Sequence, residues 1–204
     1  MNPFLSVRRF ELSQPYERIF HKMKEFTHMR NGNTLDELWL LEHDAVFTQG
    51  QAGKPQHILN AGDIPIIQSD RGGQVTYHGP GQLMIYALCD LKRLNFTIKE
   101  FVDRLEESVI SLLKMYNISS QRQEGAPGIY VDNAKICSLG IRVRKGCAYH
   151  GMSLNVNMDL SPFNRINPCG FSKLKMTQIS EFQSNIEIHS VITDFIPLLE
   201  ESLQ

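Results

Sequence analysis

The sequence predicts an α+β fold in one domain, with a mixed or antiparallel sheet flanked by helices. Three observations predict it. A length of 204 residues, with 42% hydrophobic and 21% charged side chains, suits one sizeable core. Helical periodicity is confined to the two ends and the middle of the chain. Between those stretches lie short apolar runs of strand length, punctuated by Gly, Pro, Asn and Asp. No internal repeat, low-complexity tract or linker-like run divides the chain, so the domain is taken as residues 1–204.

In chain order, Ser13 is read as the cap of a first helix whose apolar residues Tyr16, Ile19, Phe20, Met23 and Phe26 recur at helical spacing, with Gly32 beyond its end. Strands are expected at 38–41, 64–67 and 83–88, the last apolar at both parities, as a strand covered on both faces should be. Thr97 and Glu100 form a capping box before Phe101, Val102, Leu105, Val109, Leu112, Leu113 and Tyr116, which predicts the central helix. Further strands are expected at 129–131, 135–143 and 152–156. A last apolar stripe, Val191, Ile192, Phe195 and Leu199, predicts a C-terminal helix that Pro197 should kink or interrupt.

Composition excludes several functions. A formal charge of −1 with scattered Lys and Arg lacks the basic footprint of a nucleic-acid binder. No run approaches a membrane span, and Glu11, Glu17 and Glu25 argue against a targeting peptide. Four cysteines without a CxxC pair, in a chain large enough to fold without staples, read as reduced thiols of a cytoplasmic protein. Seven histidines without HxxxH spacing give no metal site. Nothing in the pattern demands more than a monomer.

Chemistry is concentrated in four places. The segment Arg71-Gly72-Gly73-Gln74-Val75-Thr76-Tyr77-His78-Gly79-Pro80-Gly81-Gln82 holds four Gly beside an apolar strand. It suits an extended ligand lying against main-chain N–H groups, with Arg71 and His78 aimed from the rims, or equally two tight turns around a short strand. It has neither the Walker nor the Rossmann pattern. Lys135 shares the odd parity of Cys137, Leu139, Ile141 and Val143, which puts it on the buried side of its strand. There desolvation would favour the neutral amine and make a general base, unless the side chain snorkels to water. Cys89 and Cys137 read as core residues, and Cys147 as part of a hairpin turn after Lys145-Gly146. Cys169, in Asn167-Pro168-Cys169-Gly170, sits in a turn that would present its sulfur at the surface, either as a nucleophile or as an unreactive loop cysteine. His78 and His150 are competing bases for it.

The blocks RGGQVTYHGPGQL (71–83), AKICSLGIRV (134–143), YHGMSLNVN (149–157) and INPCG (166–170) resemble the lipoyl(octanoyl) transferases in order and spacing. The likeness runs from about residue 5 to residue 180, and nothing is carried over beyond about residue 185. The resemblance implies the fold of the biotin and lipoate protein ligase catalytic domains. It implies that an octanoyl or lipoyl group leaves the phosphopantetheine of an acyl carrier protein for Cys169 as a thioester, then passes to a lysine of a lipoyl domain. Such acceptors belong to 2-oxoacid dehydrogenase complexes and the glycine cleavage H protein. Lys135 would lower the thiol's pKa and act as acid and base. Arg71, Gly72, Gly73, Gln74, Val75, Thr76, Tyr77 and His78, with Ser138, Leu139 and Gly140 and with Gly151, Met152 and Ser153, would line the acyl pocket. Backbone N–H groups of 138–140 or 151–152 are candidates for the oxyanion. Neither ATP nor a metal is implied. The alternatives are an ATP-dependent lipoate or biotin ligase, against which stands the lack of a GRGRxG-type loop, and a non-catalytic module that binds acyl groups or carrier proteins.

Overall fold

In the computed structural model, which describes residues 5–172 and 174–204, a seven-stranded sheet separates two unlike faces. Its strands are β1 (Leu5–Gln14), β2 (Asp36–His43), β6 (Gln82–Asp90), β7 (Gln121–Arg122), β8 (Ile129–Val131), β9 (Ala134–Arg144) and β10 (Cys147–Asn155), in the order β1-β2-β6-β10-β9-β8-β7. Only β1 and β2 pair in parallel; the other neighbours are antiparallel. A smaller sheet, in the order β4-β3-β5, joins β3 (Val46–Gln49), β4 (Ile66–Gln68) and β5 (Val75–His78). The helices are α1 (Tyr16–Met29), α2 (Leu91–Leu94), α3 (Ile98–Met115) and α4 (Ile188–Ser202).

Strand alternation sorts β6 between the faces. Leu83, Ile85 and Ala87 meet Phe101, Leu105 and Val109 of α3 and Val191 and Phe195 of α4, while Met84, Tyr86 and Leu88 meet Ile19 and Met23 of α1. Both parities are therefore apolar for the reason expected, two covered faces. The Thr97–Glu100 capping box starts α3 as predicted.

Three expectations need correction. Ser13 lies in β1 and caps nothing; α1 follows Pro15 without a side-chain cap. The strand placed at 64–67 is Ile66–Gln68, because Pro65 cannot donate to a ladder. β1, β3 and β7 had no expectation at all. Finally, α4 runs through Pro197 unbroken. Pro197 and Thr193, whose carbonyl loses its partner, are both exposed, so solvent takes the place of the lost hydrogen bond.

Candidate active site

The second face of the large sheet, the β5 segment and the loops after β7 and β10 enclose a mostly apolar cavity of about 460 Å³. That is within the range of small-molecule sites, roughly 300–1,000 Å³. At one place in its wall Lys135 Nζ donates to Cys169 Sγ at 3.2 Å and to the Pro127 carbonyl at 2.9 Å.

Lys135 reaches this position by a route different from the predicted parity. β8 and β9 pair with a register shift: Ile129 opposes Cys137, but Tyr130 opposes Lys135, leaving Ile136 as an extra residue. Ile136 and Cys137 both pack into the helix-covered core with Ile129 and Val131. Lys135 thus falls with Tyr130 on the opposite face, its Nζ 5.1 Å from the Tyr130 ring centre. At the other edge of the strand, beyond the end of the β10 pairing, its backbone bonds to Lys175 and Thr177 (2.8 and 3.0 Å). Lys135 is buried, 1% exposed, but burial does not make it neutral. Desolvation pulls its pKa down, yet the Cys169 sulfur and Tyr130 outweigh that and hold it above the usual lysine value.

Cys169 occupies a single turn, Pro168–Gly170, with φ +56° and ψ +16°. This left-handed conformation costs a non-glycine residue of order 1–3 kcal/mol. Gly170 N–H to Asn167 C=O, Phe171 N–H to Pro168 C=O and Asn167 N–H to His57 C=O clamp the turn around it. The sulfur is half-buried, as expected from the PCG context, while Cys89 and Cys137 are buried and their thiol pKa values are raised by desolvation.

The Gly-rich segment is both things the sequence left open. A bend over 71–74 and a turn closed by Gln82 N–H on the Gly79 carbonyl (3.1 Å) flank a short strand, β5, and the segment also lines the cavity from Arg71 to Thr76 and at His78. Gly72 and Gly140 allow its close approach to β9: a Cβ on Gly140 would lie 2.9 Å from the Gly72 carbonyl, and one on Gly72 would lie 3.1 Å from that of Ile141. Arg71 is not on a rim. Its guanidinium is buried, donating to Thr48 Oγ1 and to the carbonyls of Thr48, Gly72 and Gln74, all neutral acceptors. Desolvation lowers its pKa, and the Cys169 sulfur is one of the groups that raise it again. Tyr77 is the exception to the predicted lining. It faces away, packed against Phe47 and Phe163.

Neither histidine serves Cys169. The Gln82 amide donates to Asn155 and Tyr77, so its oxygen accepts from His78 Nδ1 at 2.7 Å, and His78 Nε2 accepts from the Thr48 hydroxyl at 3.3 Å. Desolvation, His43 and Arg71 keep His78 neutral, its pKa well below the usual value. His150 Nε2 meets Asp70 Oδ1 at 2.8 Å, and Tyr149 donates to Oδ2 of the same carboxylate at 2.6 Å. Both rings thus brace the segment holding Arg71. Ser138, Leu139 and Gly140 and their cross-strand partners Ser153, Met152 and Gly151 line the cavity. Tyr16, Tyr86 and the 125–127 loop also line it. Aromatic residues at core spacing carry no sequence signal for a cavity, so these were not foreseen.

The fold and site define a class: the chain matches the lipoyl protein ligase A/B catalytic domain over residues 15–200. Among solved structures it resembles a bipartite lipoate protein ligase of Thermoplasma acidophilum (TM-score 0.73, 17% identity, covering 98% of this chain and 84% of that one). It also resembles a biotin protein ligase of Aquifex aeolicus (TM-score 0.59, 12% identity, 98% and 69%). At those identities the likeness is one of fold. Sequence is more specific. An octanoyltransferase of Legionella pneumophila (strain Lens) is 58% identical over 181 residues, 89% of this chain and 91% of that protein. One of Aliivibrio fischeri is 53% identical over 207 residues, 100% and 92%. The chain belongs to the octanoyltransferase family and is an acyltransferase. Among the described residues, no helix is long and apolar enough to cross a membrane.

Proposed function

We propose that Cys169 takes an octanoyl or lipoyl group from the phosphopantetheine thioester of acyl carrier protein and delivers it to a lysine of a lipoyl domain, with Lys135 moving the protons. The acceptors are lipoyl domains of 2-oxoacid dehydrogenase complexes and the glycine cleavage H protein. The observation that supports this reading most is the 3.2 Å contact between Lys135 Nζ and Cys169 Sγ at the wall of the mostly apolar cavity.

The charge state of the pair accounts for both steps. A protonated Lys135 favours the Cys169 thiolate, which attacks the donor carbonyl; the C–S bond to phosphopantetheine breaks, and the departing sulfur takes the Lys135 proton. In the acyl-enzyme the Cys169 sulfur is no longer an anion, so the largest effect that raised the Lys135 pKa is gone and desolvation is opposed by Tyr130 alone. Lys135 is then a base when it is needed. The acceptor amine attacks the thioester, its proton passes to Lys135, and the thiolate leaves, restoring the starting pair. Backbone N–H groups of 138–140 or 151–152 are proposed for the oxyanion, beside the buried Arg71 cation. Thioester exchange is nearly balanced and amide formation is downhill, so neither ATP nor a metal is required.

The test is intact mass after incubation with octanoyl acyl carrier protein and no ATP. An octanoyl adduct that hydroxylamine removes and Cys169→Ala abolishes is expected. Transfer only from free octanoate with ATP would replace this reading with a ligase, and absence of any turnover would leave a binding module.

A further inference from the structure

The central helix carries a carboxylate where its buried face is otherwise apolar. Glu106, 6% exposed, lies on α3 among Phe101, Leu105 and Val109. A charge so placed is unfavourable unless fully engaged. Glu106 Oε2 accepts from Arg122 Nε at 3.0 Å, and Oε1 accepts from the Gly128 backbone N–H at 2.9 Å. The carbonyl of that same Pro127–Gly128 peptide accepts from Lys135 Nζ at 2.9 Å. The carboxylate and the ammonium therefore sit at opposite ends of one peptide group. Only glycine fits at position 128: its φ is +123°, and a Cβ there would meet the Cys137 carbonyl at 2.5 Å and Lys135 Cε at 3.3 Å.

We propose that Glu106 is a positioning residue for the Cys169–Lys135 pair, aiming the Pro127–Gly128 peptide and polarising its carbonyl so that the Lys135 ammonium is held against the Cys169 sulfur. A peptide whose N–H is bound by an anion presents a more negative oxygen, since successive hydrogen bonds strengthen one another in a site shielded from water. The same contact fixes the end of the 125–127 loop, which borders the cavity beside Lys135. The other charged or titratable groups facing the pair are Tyr130 from β8, Cys137 from β9, Arg71 from the Gly-rich segment and His57, whose backbone carbonyl holds the Cys169 turn. None of these contacts the Pro127–Gly128 peptide as Glu106 does.

This inference rests on the role proposed for Cys169 and Lys135, and the experiment separates the two. The rate of Cys169 alkylation by iodoacetamide is measured against pH in the wild type, Glu106→Gln and Arg122→Gln, with kcat and KM for octanoyl acyl carrier protein. Glu106→Gln is expected to move the alkylation midpoint up by about one pH unit, slow alkylation at neutral pH about tenfold and lower kcat about tenfold, with KM within about twofold. Arg122→Gln removes the other partner of Glu106 but keeps its charge and its contact with Gly128, so the midpoint should move by less than half as much. If Glu106→Gln does not fold, Glu106→Asp replaces it: it keeps the charge but falls short of Gly128, and the same upward shift is expected. A profile superimposable on the wild type in whichever variant folds overturns the inference, as does an equal shift in Arg122→Gln. If the wild type forms no Cys169 adduct, the proposed function fails instead.

Discussion

Cys137 and Cys169 both feel Lys135, yet the protein treats them in opposite ways. Cys137 is one residue beyond a bulge, buried with Ile129 and Ile136 on the helix-covered face, and desolvation drives its thiol pKa up in spite of the nearby lysine. Cys169 is on the other side of the sheet, half-buried in a clamped turn, and receives the Lys135 proton donor directly at 3.2 Å. Closeness to a cation does not make a nucleophile. The face of the sheet decides which thiol the cation reaches and which it leaves to the core.

The largest test of that contrast is to remove each sulfur in turn. Cys169→Ala should lower transfer roughly 10³-fold or more, as loss of a nucleophile does, with folding intact by thermal melt. Cys137→Ala should keep its activity and lose roughly 1 kcal/mol of stability, the scale of deleting one buried group. Comparable activity losses in both would erase the distinction drawn between the faces. Next in size is Lys135→Met, for which kcat should fall about 10²–10³-fold, within the range for a positioned acid–base group. Limited iodoacetamide on the folded wild type should label Cys169 well before Cys89 and Cys137, and Lys135→Met should slow only the first. Mass mapping of the labelled peptides reads this directly, and early labelling of Cys137 would contradict the assigned faces.

Much of this contrast was legible in the sequence, though partly for the wrong reason. Pro168 and Gly170 did mark a turn that keeps Cys169 out of the core, and the Thr97 capping box did start the central helix. Lys135 was correctly expected to be buried, but strict alternation put it on the side of Cys137, and the bulge at Ile136 reverses that. A bulge has no signature in a run of apolar residues, because the extra residue is set by the partner strand. Glu106 was invisible for a similar reason: within a helix a Glu reads as solvated until the 122–128 segment is known to close over it. Tyr77 failed in the other direction, since its neighbours line the cavity and strand alternation turns it away.

The smallest effect concerns pH, and it contrasts desolvation that is opposed with desolvation that is not. At Lys135 the sulfur and Tyr130 overcome burial, so its folded pKa is raised; the stability it contributes is present below the unfolded lysine value and is lost as pH rises through the folded one. His43 is the reverse case. Its Nδ1 donates to the Gln14 carbonyl at 2.7 Å and its Nε2 accepts from Tyr86 at 2.6 Å, so the neutral ring is satisfied, and burial pushes its pKa down to about 4. The unfolded chain then binds a proton that the folded one refuses, and stability falls as pH drops from about 6.5 to about 4. His43 alone accounts for about 3 kcal/mol, as an order of magnitude, and His78 and His150 shift in the same direction. Asp70, whose pKa is held below the usual carboxylate value by His150 and Tyr149 against desolvation, loses its contribution only at lower pH and does not mask the window. Urea midpoints measured from pH 7 to pH 4.5 should therefore decline steadily. A flat profile would mean that the histidines behind the cavity are hydrated, and that the water exclusion invoked for Lys135 on the same face does not hold.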